Sequence, residues 1–353
     1  GALFWALEDS KGKNGHLFLT SEALQKEALQ LLNAKIPIPS LRLHAQEVSD
    51  VLEDMILHGE VVSVKGDIYL PRVFAQEDET ARRIAMRVVE PPAPEKIEQI
   101  LEQVKREIGL ALSSKQEAAV YATYRHNLSI ITGSPGTGKT TVLKTILEVY
   151  RRLHPQGEIA LMAPTGRASR RMAESTGVDK AKTLHSILGL ASEEDEIKRN
   201  NTQEPLSADL IIVDEFSMVD TWLANQLVSN IATDTKLLIV GDADQLPSVS
   251  PGQVLADLLQ IPSIPQTKLE HIFRQSEDST IVSLAGDIRQ GKLPQDFTER
   301  KADRSYFEAG SEHIPKMIEQ ITSAALRSQI PARDIQVLAP MYKGPVSYTH
   351  LTL

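Results

Sequence analysis

The chain has 353 residues, of which 41% are hydrophobic and 24% are charged, as in ordinary globular proteins. Its 38 basic and 47 acidic side chains give a net charge of −9, which argues against binding to nucleic acid by overall charge alone but allows a local basic groove. The chain contains no cysteine, which excludes disulfides, thiolate zinc sites and iron–sulfur clusters within it. Because it also lacks a long apolar segment, we expect a cytoplasmic protein without membrane contact.

Residues 1–90 are predicted to form a small helical domain. Residues 46–58 carry apolar side chains at helical spacing, and segments 61–64 and 68–70 flank a glycine-containing turn in the pattern of a β-hairpin. Helices followed by a hairpin are typical of a winged-helix domain, and a small α+β packing domain without its own ligand fits equally well. The stiff proline-rich segment 91–94 then separates this domain from the rest of the chain.

Beyond residue 95, strands alternate with helices. Four apolar runs read as strands, at residues 128–132, 159–163, 210–213 and 236–240. Continuous apolar runs are typical of a parallel sheet that is buried on both faces. We therefore predict an α/β fold with a RecA-like core over residues 95–265. A second, partial domain is predicted over residues 266–346, with helices at 281–289 and 315–326 and a strand at 335–338.

A phosphate-binding loop follows the first predicted strand. Residues 133–140 read Gly-Ser-Pro-Gly-Thr-Gly-Lys-Thr, which matches the G-x-x-x-x-G-K-T pattern of P-loop proteins. Glycines let backbone N–H groups surround a phosphate chain, Lys139 brings a positive charge, and the Thr140 hydroxyl can bind Mg²⁺. The predicted nucleoside triphosphate site therefore consists of Gly133, Ser134, Pro135, Gly136, Thr137, Gly138, Lys139, Thr140 and Thr141.

Two later strands end in polar residues that should reach the same edge of the sheet. Asp214 and Glu215 follow the run 210–213, and we predict that Asp214 holds Mg²⁺ through water while Glu215 acts as the general base. Gln245, which follows the run 236–240, is predicted to contact the γ-phosphate. Taken alone, Gln245 would fit equally well in a polar turn that closes a strand.

Arg167, Arg170 and Arg171 are spaced to lie on one face of a helix at this edge. Three guanidinium groups there could neutralise the backbone of a nucleic-acid strand. Such a cluster is usually a solvated surface, but the preceding Pro164, Thr165 and Gly166 favour the binding interpretation.

The ordered motifs resemble those of RecD-like DNA helicases of superfamily 1B. The resembling segments are residues 112–116, 163–168, 183–185, 214–220, 241–247, 273–275 and 338–342. The resemblance implies that Gln116 reads adenine, so that ATP is the nucleotide, and that residues 164–166 and His185 contact single-stranded DNA. It also implies that Arg274 reaches the γ-phosphate. Phe216 departs from the family pattern, in which a small residue is usual, but leaves both carboxylates in place.

The resemblance implies an ATP-dependent helicase that moves 5′→3′ on single-stranded DNA and opens duplex junctions in repair or recombination. Residues 189–205 resemble the pin hairpin that splits the duplex. We expect a monomer, with single-stranded-DNA-binding or recombination proteins as candidate partners. An alternative is an ATP-gated DNA-binding or scaffold subunit that does not unwind DNA. The guanine-binding motif Asn-Lys-x-Asp and the ABC-type motif Leu-Ser-Gly-Gly-Gln do not occur.

The C-terminal part of the sequence shows no segment that resembles the fifth and sixth motifs of the family. Residues 347–353 also depart from the family pattern, and we interpret them as a non-native tail. We therefore expect a chain truncated at both ends, which binds ATP but hydrolyses it poorly by itself.

Overall fold

The computed structural model describes residues 1–92, 94–109, 111–178, 181–190, 206–270 and 279–339. The chain divides into two compact units, Gly1–Arg274 and Gln275–Leu353. In the part of the chain that is described, no helix has the length and apolar character needed to span a membrane.

The N-terminal part of the first unit combines four helices with a small antiparallel sheet. Its elements are α1 (Ala2–Asn14), β1 (Phe18–Thr20), α2 (Ser21–Asn33), α3 (Ala45–Leu57), β2 (Val62–Val64), β3 (Asp67–Tyr69) and α4 (Pro71–Ala85). Strand β3 lies between β1 and β2. The predicted helix and hairpin are confirmed, β1 is an additional strand, and the winged-helix interpretation stays a prediction.

The apolar face of α3 forms part of the core of this domain. Val48, Leu52 and Met55 are buried there with Leu24 of α2. Val51, which helical spacing placed on the same face, is instead 54% exposed. It lies at the margin of the apolar stripe, where α3 no longer contacts its neighbours.

The second part of the first unit is an α/β domain. Its elements are α5 (Ile97–Ile108), α6 (Ser114–Arg125), β4 (Leu128–Gly133), α7 (Lys139–Leu153), β5 (Ile159–Ala163), α8 (Gly166–Thr176), β6 (Ala181–Thr183), α9 (Leu184–Ile187), β7 (Leu210–Val213), α10 (Thr221–Ser229), β8 (Lys236–Gly241), α11 (Val254–Leu259) and β9 (Gln266–Leu269). The six strands form one parallel sheet in the order β6-β5-β7-β8-β4-β9. The predicted parallel-sheet core is therefore confirmed.

Both faces of this sheet are covered by helices, which explains the continuous apolar runs. In β7, Leu210 and Ile212 pack with α5, α6 and α7, whereas Ile211 and Val213 pack with α10 and α11. Successive side chains of a strand point to opposite faces, so burial on both sides explains why β7 is apolar at every position.

Helix α4 connects the N-terminal domain to the sheet domain. Its Val73 belongs to the N-terminal core, while Ile84 packs into the core formed by α10 and α11. The Asn225 side-chain amide of α10 donates to the Gln76 carbonyl of α4 at 3.2 Å. Directly after α4, the buried Arg87 side chain hydrogen-bonds to the loop that precedes β8. The two domains of this unit thus share a continuous interface.

The boundary that the sequence suggested at residue 266 is wrong. Residues 266–269 form β9, which pairs with β4 as an edge strand of the first sheet, and the first unit extends to Arg274. The N–H and C=O groups of β4 that face away from β8 need partners, and β9 supplies them. A short polar strand of this kind has no apolar run that would assign it to the sheet.

The second unit contains two helices in its described part, α12 (Thr280–Arg289) and α13 (Ile314–Arg327). Both predicted helices are confirmed, but the predicted strand over residues 335–338 is wrong. Ile335 has an extended backbone, yet none of the described residues pairs with this segment, and Leu338 is 83% exposed. Extended segments become strands only when a neighbour accepts their hydrogen bonds. The assignment of this unit as part of a RecA-like domain stays a prediction.

Candidate active site

The phosphate-binding loop connects β4 to α7 in a conformation that only glycine adopts easily. Gly136 and Gly138 have φ values of 89° and 85° in the left-handed region. At Gly133, an added Cβ atom would lie 2.7 Å from both the Leu269 carbonyl oxygen and the Thr137 hydroxyl. The glycines of the motif are thus required by the backbone itself, which leaves the N–H groups of the loop and of the first turn of α7 available to an anion.

Lys139 is the first residue of α7, and its side chain folds back over the loop. Its ammonium donates to the carbonyl oxygens of Gly133 and Ser134, the latter at 3.3 Å. A bound phosphate chain would offer anionic oxygens in place of these neutral acceptors, which is a stronger interaction for an ammonium group. Thr140 follows with an exposed side chain, and Thr141 is partly buried.

Gln116 contacts the loop from a neighbouring helix. Its buried side chain closes a capping box at the start of α6, where the Ser113 amide donates to Gln116 Oε1 at 2.9 Å. Gln116 Nε2 donates to the Thr137 carbonyl at 3.5 Å. The structure thus places Gln116 beside the phosphate loop, and its predicted role in reading adenine stays a prediction.

Asp214 and Glu215 follow β7, at the edge of the sheet where the loop lies. The Asp214 amide donates to the Met162 carbonyl at 2.9 Å, and Asp214 Oδ1 accepts from the Glu215 amide at 2.8 Å. Glu215 has a φ of 54°, an uncommon value for a residue other than glycine, which marks a sharp change of chain direction. Phe216 is buried in the core formed with α10 and α11, so it anchors this turn without entering the site.

The electrostatics of Asp214 suit a cation ligand. Burial raises the pKa of the Asp214 carboxyl, the neighbouring Glu215 charge raises it further, and Lys139 and Arg171 lower it. The effect of Lys139 shows that the loop and the carboxylate lie close together. Among the described residues, no group of three or more His, Asp or Glu side chains is arranged to hold a metal. Asp214 and Thr140 fit Mg²⁺ only when phosphate and water complete its shell, which is how this ion usually binds.

The turn after β8 contains a residue that the sequence reasoning missed. Strand β8 lies between β7 and β4, so this turn lies between Glu215 and the phosphate loop. Gln245 is exposed, and its amide donates to the Asp242 carbonyl at 3.2 Å, as in a simple turn. Asp242 is buried, and its carboxylate accepts from the Asp244 amide at 3.1 Å. A buried carboxylate in this position is a stronger candidate for contact with the nucleotide than Gln245, and the signal was its place directly after an apolar strand.

The predicted DNA-contacting residues lie at the same edge, after β5. Thr165 caps α8 by accepting from the Ala168 amide at 3.2 Å, which fixes the turn that begins at Pro164. Gly166 is the first residue of the helix, and the predicted basic residues on α8, Arg167, Arg170 and Arg171, are all exposed. Because Arg171 also lowers the pKa of Asp214, this basic face borders the nucleotide site.

His185 lies in the short helix α9, which follows β6 at the same sheet edge. Its ring is 6.0 Å from that of Trp222, the second residue of α10. Trp222 was not among the predicted site residues, because the motif segment 214–220 ends two residues before it. The two rings thus lie close to each other at this edge of the sheet.

Several predicted features cannot be placed. Arg274 lies outside the described residues, as do residues 191–205 of the predicted pin and the whole segment 347–353.

Known proteins resemble this chain over much of its length. Residues 116–251 match a family model described as an AAA domain. The chain is 30% identical over 356 residues to the ATP-dependent RecD2 DNA helicase of Deinococcus radiodurans, covering 99% of this chain and 47% of that protein. It is 29% identical over 306 residues to the RecBCD enzyme subunit RecD of Mycolicibacterium smegmatis, covering 79% of this chain and 52% of that one.

Among solved structures, the Pif1 helicase of Candida albicans matches with a TM-score of 0.42 and 25% identity, covering 63% of this chain and 56% of that chain. That partial overlap adds nothing to the assignment, which rests on the sequence relatives and on the motifs. The chain spans about half the length of the curated relatives it matches. With its parallel P-loop sheet and its motifs in order, the chain is similar over almost its whole length to a RecD-like helicase.

Proposed function

We propose that the protein is an ATP-dependent DNA helicase that couples ATP hydrolysis to movement along single-stranded DNA and to unwinding of duplex junctions. The proposal rests on one observation. The phosphate loop, the Asp214–Glu215 turn and the basic face of α8 all lie at one edge of the sheet. The direction of movement, 5′→3′, rests on the resemblance alone.

Each residue of the nucleotide site has a role that follows from its chemistry. The amides of the loop and Lys139 would hold the β- and γ-phosphates, and Thr140 and Asp214 would hold Mg²⁺. The metal, when bound, supplies positive charge to the phosphate oxygens. Glu215, next in the chain after Asp214, would orient the attacking water and accept its proton. Asp242 would lie near the γ-phosphate, from where its turn could sense hydrolysis.

The basic face of α8 would bind the phosphate backbone of single-stranded DNA. Arg171 is the residue through which the two sites would communicate, since it borders both. His185 and Trp222 would offer a ring surface on which a base could stack.

A scaffold or DNA-binding subunit that only binds ATP would not need Glu215. The presence of both carboxylates therefore favours the enzyme, and stimulation of phosphate release by single-stranded DNA distinguishes the two functions. The relative from M. smegmatis is named as an enzyme subunit, which supports recombination proteins as candidate partners. We expect the protein to carry out this activity as a monomer in the cytoplasm.

Replacing Lys139 with alanine is expected to weaken binding of a fluorescent ATP analogue by about a hundredfold or more, because two charge-assisted phosphate contacts are lost. Lys144→Ala is the matched control, since Lys144 is exposed one turn further along α7. The control should bind the analogue as the unmodified protein does. Equal affinity of the Lys139 variant and the control would contradict the assignment of the loop.

Replacing Arg167, Arg170 and Arg171 together with alanine is expected to weaken binding of single-stranded DNA and to spare nucleotide binding. Up to three phosphate contacts are lost, so the slope of log K against log salt should become shallower by up to about two.

A matched control changes Arg125 and Arg151, which are exposed near the C-terminal ends of α6 and α7, at the opposite edge of the sheet. These changes should leave the slope unaltered. If the variant of α8 and the control variant give the same slope, the basic face of α8 is only a solvated surface.

A further inference from the structure

An open apolar groove lies between the N-terminal domain and the sheet domain. Its volume is about 420 Å³. One wall is α4 and the residues after it, and the other is α11 with the turn that follows. Its apolar lining is formed by Ala81, Ile84, Val88, Val254, Leu258 and Ile264. Grooves of this volume accommodate small organic ligands.

The charged groups that line the groove are both acidic. Glu77 comes from α4 and Asp257 from α11, so the two domains each contribute one carboxylate. The Tyr69 hydroxyl donates a hydrogen bond to the Glu77 carboxylate. In the described part of the chain, no lysine or arginine lowers the pKa of either carboxyl. The groove therefore combines an apolar lining with two carboxylates.

These surroundings raise the pKa of both Glu77 and Asp257. Desolvation raises the pKa of the Glu77 carboxyl, and the nearby Asp257 charge raises it further. Asp257 keeps much of its surface in water, yet desolvation beside the groove raises its pKa as well. Two like charges close to an apolar surface disfavour each other, and a cation placed between them would remove that cost.

We propose that this groove is a binding site for a small organic cation, an ammonium group attached to an apolar body such as an aromatic ring. The apolar body would lie on Ile84, Leu258 and Ile264, and the ammonium would pair with Glu77 and Asp257. A neutral ligand of the same shape would leave the two carboxylates uncompensated, and an anionic one would be repelled. This selectivity follows from the lining and does not depend on the proposed helicase function.

Because the groove lies between the two domains, a ligand bound in it would affect how they pack together. A ligand that contacts both α4 and α11 binds only when the two domains are packed together, so it stabilises that packing. Thr221, the first residue of α10, also lines the groove and follows the Asp214–Glu215 turn by only a few residues.

The test uses three probes that share an indole ring: tryptamine, tryptophol and indolepropionate. Titration calorimetry and the shift of the thermal unfolding midpoint both report binding. Tryptamine should raise the midpoint and bind about tenfold more tightly than the neutral tryptophol, as expected for a charge-assisted contact. Indolepropionate should bind most weakly. Equal binding of tryptamine and tryptophol, or no binding of any probe, would overturn the proposal.

Two sets of variants locate the binding. Glu77→Gln combined with Asp257→Asn should reduce tryptamine affinity to that of tryptophol while leaving tryptophol binding unchanged. Ala81→Phe should fill the groove and abolish binding of both probes, whereas Ala75→Phe, at an exposed position of α4 that does not line the groove, should have no effect. Tryptamine binding that survives Ala81→Phe would show that the amine binds elsewhere and would overturn the assignment of this groove.

Discussion

Replacing Glu215 with glutamine is expected to lower ATP turnover by about a hundredfold to ten-thousandfold while nucleotide binding is retained. Glutamine has the shape of glutamate but cannot accept a proton from the attacking water. Asp214 remains available for the metal, because the two residues hold different positions: Asp214 Oδ1 accepts from the Glu215 backbone amide, and this bond does not involve the Glu215 side chain. The left-handed backbone at Glu215 is also unchanged by the substitution.

The measurement is single-turnover hydrolysis of ATP with single-stranded DNA present, alongside nucleotide binding by fluorescence. Glu174→Gln is the control, since Glu174 is an exposed acid near the C-terminal end of α8, away from the candidate site. The control should keep full turnover. If the Glu215 variant turns over ATP within about tenfold of the unmodified protein, another group serves as the base.

The second large effect concerns stability and involves Arg87. This side chain is 1% exposed, and its guanidinium donates to the carbonyl oxygens of Thr235 at 2.9 Å, Ile231 at 3.0 Å and Ala232 at 2.7 Å. Burial lowers the pKa of Arg87 to about 10, so the group remains charged at neutral pH. It joins the end of α4 to the loop before β8, and thereby ties the N-terminal domain to the sheet.

Arg87→Met is expected to lower the free energy of unfolding by about 3–5 kcal/mol, because three carbonyl groups lose the guanidinium donor at once and two of these contacts are buried. Methionine fills much of the same space, so little of this loss would come from a cavity. Arg87→Lys should give an intermediate loss, since a single ammonium group cannot reproduce the fork of a guanidinium. Urea denaturation followed by circular dichroism measures these differences.

Arg82→Met provides the comparison for this experiment. Arg82 lies one and a half turns earlier, on an exposed face of α4, and forms an ion pair with Asp78. Exposed pairs of this kind contribute at most about 1 kcal/mol. A loss at Arg87 no larger than the loss at Arg82 would mean that the three carbonyls find other partners, and that Arg87 does not hold the two domains together.

Local patterns in the sequence were sufficient to predict the strands and the loop that form the candidate nucleotide site. The apolar runs that became β4, β5, β7 and β8 were predicted to within a residue. Each of these strands is buried on both faces, and this burial favours apolar side chains along the whole strand. The phosphate loop was recognised because Gly136 and Gly138 are required by backbone angles within the loop. The position of Asp214 and Glu215 followed because parallel strands bring their carboxyl ends to one edge.

The tertiary structure decided the features that depend on contacts distant in sequence. Strand β9 is short and polar, and only its pairing with β4 makes it part of the sheet, whereas residues 335–338 are apolar and remain unpaired among the described residues. Asp242 became a candidate for contact with the nucleotide because the structure places β8 between β7 and β4. Arg87 looks in the sequence like any surface arginine. Its burial depends on carbonyl groups about 145 residues later in the chain, and no local pattern encodes a partner at that separation.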